Sequence, residues 1–146
     1  MADTNTIEIF PFEKRYWYPH MKPADVAIWE RFIAKYPTAY ERCQYDVPCG
    51  SAPQFDTVVS PDTRGDNEIL YKKKIDVVAF KGEQIDIIEL KPRAGAAAVG
   101  QIKLYKKLYV NDYNPPETPR CIIVTDEASV DIHNFAKEEG VQIIVV

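Results

Sequence analysis

The sequence predicts a single mixed α/β domain, with helices flanking a sheet. Three observations carry that expectation. The chain has 146 residues, 46% of them hydrophobic and 27% charged, which is ordinary globular usage and enough chain for one core. Two Ile- and Val-rich runs, 69–80 (ILYKKKIDVVAF) and 84–91 (QIDIIELK), meet at the turn signal Lys81-Gly82-Glu83-Gln84. Towards the C-terminus, apolar runs of strand length alternate with segments of helical periodicity.

Residues 1–22 read as an irregular aromatic arm. Phe10, Phe12, Tyr16, Trp17 and Tyr18 are broken by Pro11 and Pro19, and the arm is expected to lie on the domain or on a partner. Residues 23–146 read as the folded domain. Pro23 suits the first turn of a helix reaching Lys35, which Tyr36-Pro37 stops. Its apolar stripe is Val26, Ile28, Trp29, Phe32 and Ile33, with Glu30 among them. Residues 41–47 (ERCQYDV) read as a short strand, and 48–66, with three prolines, as a loop. After the paired strands 69–80 and 84–91, Pro92 removes a backbone donor and is expected to end the strand. A helix over 94–110 follows, and Asn114-Pro115-Pro116 closes that region. Residues 121–125 (CIIVT) read as a buried strand, 128–139 as a helix closed by Gly140, and 141–146 (VQIIVV) as a last strand. The order is α-β-β-β-α-β-α-β, with no repeat and no internal linker.

Composition excludes several classes. No apolar run approaches the roughly 18 residues of a membrane helix, so no membrane partner is expected. Met1-Ala2-Asp3-Thr4 lacks the basic-then-apolar pattern of a secretory signal. Cys43, Cys49 and Cys121 are odd in number and contain no C-x-x-C, which argues for free thiols in a reducing, cytoplasmic compartment. They also fall short of four ligands for zinc or iron–sulfur, and His20 and His133 are not close to them in sequence. A net charge of −4 excludes a general DNA coat. The charge is uneven, however. Residues 71–107 hold nine Lys/Arg against four acids, a net +5 that leaves −9 elsewhere. That distribution suits phosphate steering, although a solvated helix face accounts equally well for Lys106 and Lys107.

The most informative stretch is the hairpin. Gly82 at the first central position suits a two-residue II′ turn. With Gly82-Glu83 as the loop, Asp76 stands directly opposite Glu89, their Cβ atoms about 5 Å apart. Opposed like charges destabilise a sheet, and an unpaired carboxylate among Ile, Val, Ala and Phe is expensive. The pair must share a proton or a cation. Carboxylate oxygens suit Mg²⁺ or Mn²⁺, with water and substrate phosphate completing the octahedron. Lys91, two residues after Glu89, shares its face. Two acids and an amine on one face suit phosphodiester hydrolysis. A longer turn would shift the register. Exposed strands also carry Lys and Glu, so E-L-K alone would mean little.

These residues resemble the PD-(D/E)XK nuclease superfamily. Asp76 matches its first acid and Glu89-Leu90-Lys91 its E-x-K. Gln101-Ile102-Lys103-Leu104-Tyr105 is similar to the Q-x-x-x-Y motif of the branch resembling the bacterial recombination exonuclease. The resemblance covers roughly residues 23–125. It implies a restriction-endonuclease-like α-β-β-β-α-β core, here with an extra C-terminal helix and strand. It further implies that Asp76, Glu89 and the backbone carbonyl of Leu90 bind Mg²⁺, with Mn²⁺ as a substitute. Lys91 would position or activate the attacking water. Gln101 and Tyr105, four apart on one helical face, would support the site and contact the DNA backbone. Tyr105 also reads as core packing beside Ile102 and Tyr109. Glu30 either completes a second metal position or is a charged residue at the edge of its stripe. Lys72, Lys74, Arg93, Lys103, Lys106 and Lys107 are the candidate DNA contacts. The literal dipeptide Pro61-Asp62 falls in the loop, so Asp76 is preferred. The cysteine set of the iron–sulfur branch is missing, so no cluster is expected.

The function expected is a Mg²⁺-dependent deoxyribonuclease, working as a homodimer or inside a larger protein assembly. The alternative is a catalytically inactive nuclease-fold structural or adaptor subunit, for instance of a phage virion. A non-enzymatic nucleic-acid-binding module is the third reading, opposed by carboxylates that repel phosphate without metal.

Overall fold

The Gly82-Glu83 turn sets the register of the sheet. Gly82 has φ 57° while Glu83 stays out of the left-handed region, the combination a II′ turn requires. In the computed structural model, which describes residues 7–51 and 73–146, this turn joins β3 (Lys73–Lys81) to β4 (Gln84–Arg93). The pairs run from Lys81↔Gln84 to Val77↔Ile88, so the loop is two residues long. Before the hairpin come β1 (Phe10–Pro11), α1 (Pro23–Lys35) and β2 (Arg42–Cys49). After it come α2 (Ala96–Tyr113), β5 (Arg120–Glu127), α3 (Val130–Glu138) and β6 (Val141–Val145).

The six strands lie in the order of the chain, β1 to β6. Pairing is antiparallel from β1 to β4 and parallel from β4 to β6, with α2 and α3 as the crossovers. This mixed α/β sheet contains the α-β-β-β-α-β order, followed by α3 and β6. The core has two layers. α1 buries Ile28, Trp29, Phe32 and Ile33 on one face, against Val77, Ala79, Ile88 and Leu90. On the other face α2 buries Ala98, Val99, Ile102, Tyr105 and Tyr109 against Val78, Ile85, Ile87 and Ile123, joined by Ala136 of α3. β4 is covered on both faces, which explains its near-continuous apolar sequence.

Three differences from the sequence reading have physical reasons. Pro92 does not end β4. Beyond Ile88 the strand has lost β3, but β5 still pairs with it through Lys91↔Thr125 and Arg93↔Glu127. The second helix runs on to Tyr113 and stops at Asn114, whose φ of 44° is the left-handed cap. The arm joins the fold: Phe10 and Pro11 pair with Cys43 and Arg42, and Phe10, Phe12 and Tyr18 are buried in the α1 layer. Phe12 packs on Trp29, Phe32 and Tyr40 with ring centroids 5.6, 6.1 and 5.3 Å away, while Tyr16 and Trp17 remain exposed. Lys72, the dipeptide Pro61-Asp62 and the start of the 69–80 run lie outside the described residues. Among the described residues, no helix is long and apolar enough to cross a membrane.

Candidate active site

The β3–β4 ladder stops at Val77↔Ile88, and the next residues in register are Asp76 and Glu89. Their side chains take over the role of the ladder. The Asp76 N–H donates to Glu89 Oε1 at 3.3 Å, and the Leu90 N–H donates to Asp76 Oδ2 at 2.8 Å. Both carboxyls open on a cleft of about 170 Å³ at this end of the sheet, between the start of α1 and the middle of α2. Lys91, Gln101 and Tyr105 line the same cleft, as does Leu90. The Leu90 side chain is buried in the α1 layer, so its backbone is what reaches the cleft.

Burial raises the pKa of both acids. Glu89 is 3% exposed, and burial together with the Asp76 charge pushes its carboxyl far above the ordinary range. Burial also raises Asp76, opposed by the Leu90 N–H and by the Lys91 charge. Lys91 acts through space on both, and on Asp25, but forms no ion pair with any described residue. Gln101 Nε2 donates to the Tyr105 hydroxyl oxygen at 2.6 Å, which leaves that hydroxyl hydrogen available to the cleft. Tyr105 is 7% exposed and packs with Ile102 and Tyr109, so it is a core residue and a cleft residue at once.

A divalent cation fits this chemistry. Each carboxyl accepts one backbone N–H, and a side-chain hydrogen bond also joins the two, with Glu89 keeping the proton and Asp76 accepting it. A cation between them would replace the shared proton and offset the burial and the Asp76 repulsion that now raise Glu89. Among the described residues, no group of three His, Cys, Asp or Glu side chains is arranged to hold a metal. That donor set suits Mg²⁺ or Mn²⁺, which accept one or two carboxylates and keep several waters.

Other expected residues fall elsewhere. Glu30 does not line the cleft; its Oε2 accepts the Tyr18 hydroxyl at 3.4 Å. Asp25, in the first turn of the same helix, lines it instead, and its charge helps to raise Asp76. Asp46 lines it too. Its φ is 55°, and at this residue β2 changes faces: Cys43 and Tyr45 pack in the α1 layer, Val47 and Cys49 in the α2 layer. Lys74 holds Asp46 at 3.5 Å, and His20 Nδ1 approaches the same oxygen at 3.9 Å. The sequence offered weak signals for these groups. Asp25 reads as an acid suiting a helix N-terminus, and Asp46 as one polar residue in a short strand.

Of the candidate DNA contacts among the described residues, Lys74 alone lines the cleft, and Lys22, not anticipated, joins it. Arg93 pairs with Glu127 at 3.3 Å and Lys103 with Glu139 at 2.6 Å, while Lys106 and Lys107 lie on α2 away from the cleft. Exposed pairs of this kind are worth about 0–1 kcal/mol, so they leave the cations free to exchange partners. Cys43 is in the α1 layer, and Cys49 and Cys121 are in the α2 layer, all as buried free thiols. A larger cavity of about 490 Å³, beside Phe80, Tyr109 and Tyr113, holds neither Asp76 nor Glu89.

No protein-family model and no curated protein sequence matches this chain. Among solved structures, it is similar to a repair endonuclease from Pyrococcus abyssi, with a TM-score of 0.49 and 19% identity, over 92% of this chain and 49% of that one. It is likewise similar to an EndoMS–dsDNA complex, with a TM-score of 0.49 and 18% identity, over 92% of this chain and 48% of that one. The apo form of EndoMS matches over 48% of this chain and 33% of its own, with a TM-score of 0.41 and 25% identity. The chain spans about half the length of the first two.

Proposed function

We propose that this domain is a divalent-cation-dependent deoxyribonuclease that hydrolyses a phosphodiester in the cleft. The observation that carries the reading is half-buried Asp76 and buried Glu89, face to face in a cleft that also receives Lys91, Gln101 and Tyr105. Asp76, Glu89 and the Leu90 carbonyl would hold Mg²⁺ or Mn²⁺. When bound, the cation supplies a Lewis acid for the phosphate and lowers the pKa of water. The Lys91 ammonium orients the attacking water in line with the bridging oxygen and offsets the negative charge that grows on the phosphoryl oxygens. The water loses a proton to solvent as its oxygen bonds to phosphorus, the bridging P–O bond breaks, and the departing oxygen takes up a proton from solvent. Tyr105, its hydroxyl oxygen held by Gln101, donates to a phosphate oxygen and fixes the strand. Lys22 and Lys74 at the cleft wall receive the neighbouring phosphates.

The test is cleavage of linear, circular and branched DNA with Mg²⁺ or Mn²⁺, by wild type and Lys91→Ala. Loss of one charge-stabilising group should lower the rate about 10²–10³-fold. Thermal stability should be unchanged. Equal cleavage by both proteins would remove Lys91 from the mechanism. No cleavage of any substrate by wild type would favour the adaptor reading.

A further inference from the structure

The N-terminal arm presents two aromatic rings that neither the core nor the cleft uses. Tyr16 is fully exposed and Trp17 is 62% exposed, which makes them the most exposed aromatic side chains among the described residues. Their backbone is fastened on both sides. Phe12 and Tyr18 are buried, the Arg15 guanidinium lies 4.1 Å over the Phe10 ring, and the Tyr18 ring packs 5.4 Å from that of Tyr45. The Arg15 N–H donates to the Tyr18 hydroxyl oxygen at 2.9 Å, closing a short loop whose two middle residues are Tyr16 and Trp17. Scattered exposed apolar residues need no explanation, but two adjacent aromatics on a fastened loop make a preformed flat surface.

The surroundings identify what that surface takes. Residues 14–22 (KRYWYPHMK) hold Lys14, Arg15 and Lys22 and no acid. Pro19, His20, Met21 and Lys22, immediately after the loop, line the cleft. Successive Cα atoms are about 3.8 Å apart, so the Cα of Trp17 is at most about 8 Å from that of Pro19, two or three nucleotides' rise along a strand. Cations track phosphates and aromatic faces stack on bases, whereas in a duplex the base faces are already covered by their neighbours. We propose that Tyr16 and Trp17 form a base-stacking platform through which the cleft selects single-stranded DNA. Lys14 and Lys22 receive phosphates on either side of the stacked bases, and the strand runs from the platform past Pro19 and His20 to Asp76 and Glu89. This substrate preference rests on the nuclease reading.

Binding can be measured apart from cleavage, in metal-free buffer at low salt. The chain has two tryptophans, and Trp29 is fully buried with its indole N–H on the Tyr45 hydroxyl, so quenching by a stacked base reports Trp17. An oligothymidylate of about 12 nucleotides should quench wild-type emission saturably. By anisotropy of the labelled strand, Trp17→Ala should bind it roughly 5–150-fold more weakly, and Trp17→Phe should keep most of the affinity. An abasic strand of the same length, and a duplex, should bind wild type and Trp17→Ala alike. Phe135→Ala, at an exposed ring on α3 away from the cleft, should bind as wild type does. Trp17→Ala should melt with wild type, because the ring it removes is exposed. Equal affinity of Trp17→Ala and wild type for the oligothymidylate, an abasic strand that separates them as strongly, or no binding by wild type would overturn the platform. Trp17-dependent binding by a wild type that cuts no DNA would overturn the nuclease reading alone. Trp17-independent binding by a wild type that cuts would overturn the platform alone.

Discussion

β4 carries two buried acids three residues apart with opposite fates. Asp86, fully buried, accepts two bonds from Arg120 at 2.7 Å each, one from the Tyr40 hydroxyl and one from the Gln84 amide at 3.3 Å. Glu89 faces a second acid and one backbone N–H. Asp86 is satisfied and structural; Glu89 is left with unmet chemistry. QIDIIELK does not separate them by itself, because Arg120 arrives from 34 residues away. The turn register and the neighbouring Lys91 do. The raised pKa of Glu89 has a measurable consequence without metal. The folded state keeps a proton that the unfolded chain has already released, so stability is full at acid pH and falls as pH rises through and above the ordinary carboxylate range. Melting temperature should therefore decline from acid to alkaline pH. Glu89→Gln should flatten the decline, and Mg²⁺ should raise the melting point most at high pH. A metal-free wild type with no such slope would contradict the burial argument.

Elements differ in how much of them the sequence discloses. The hairpin is legible because a local rule, glycine at the first turn position, sets its register and with it the Asp76–Glu89 opposition. α2 is legible because Gln101 and Tyr105 fall beside the apolar stripe that the sheet buries. α1 is harder. Its stripe identifies the buried face, but nothing local tells how far the helix overhangs the sheet, so the sequence points to Glu30 where Asp25 stands. β1 is harder still, since a two-residue strand exists only through its pairing with Arg42 and Cys43. That arm is integral. Phe12, 7% exposed and wedged among Trp29, Phe32 and Tyr40, should cost about 3–4 kcal/mol in urea unfolding when replaced by Ala. Tyr16→Ala, at a fully exposed site, should change little. Equal stability of Phe12→Ala and wild type would mean that the arm is only draped on the surface.

At the scale of the molecule, a linear segment of net +5 is not one patch in space. Lys81 bonds to the Thr38 carbonyl at the turn end of β3, Arg93 and Lys103 are held by acids of β5 and of the residue after α3, and the cleft collects Lys22, Lys74 and Lys91. If DNA follows those three lysines, removing any one of their charges should show in the salt dependence of binding. Lys22→Ala should weaken binding and reduce the log–log salt slope by about one. Lys137→Ala, on α3 and away from the cleft, should leave the slope as it is. Identical slopes would place the DNA elsewhere. The end of the β3–β4 ladder has one more consequence. Because the Asp76 amide is bonded to Glu89 and the Leu90 amide to Asp76, each of these two carboxyls is wired to a main-chain N–H. Two backbone resonances in an ¹H–¹⁵N spectrum thus become internal reporters of protonation and cation loading, readable with no substrate present.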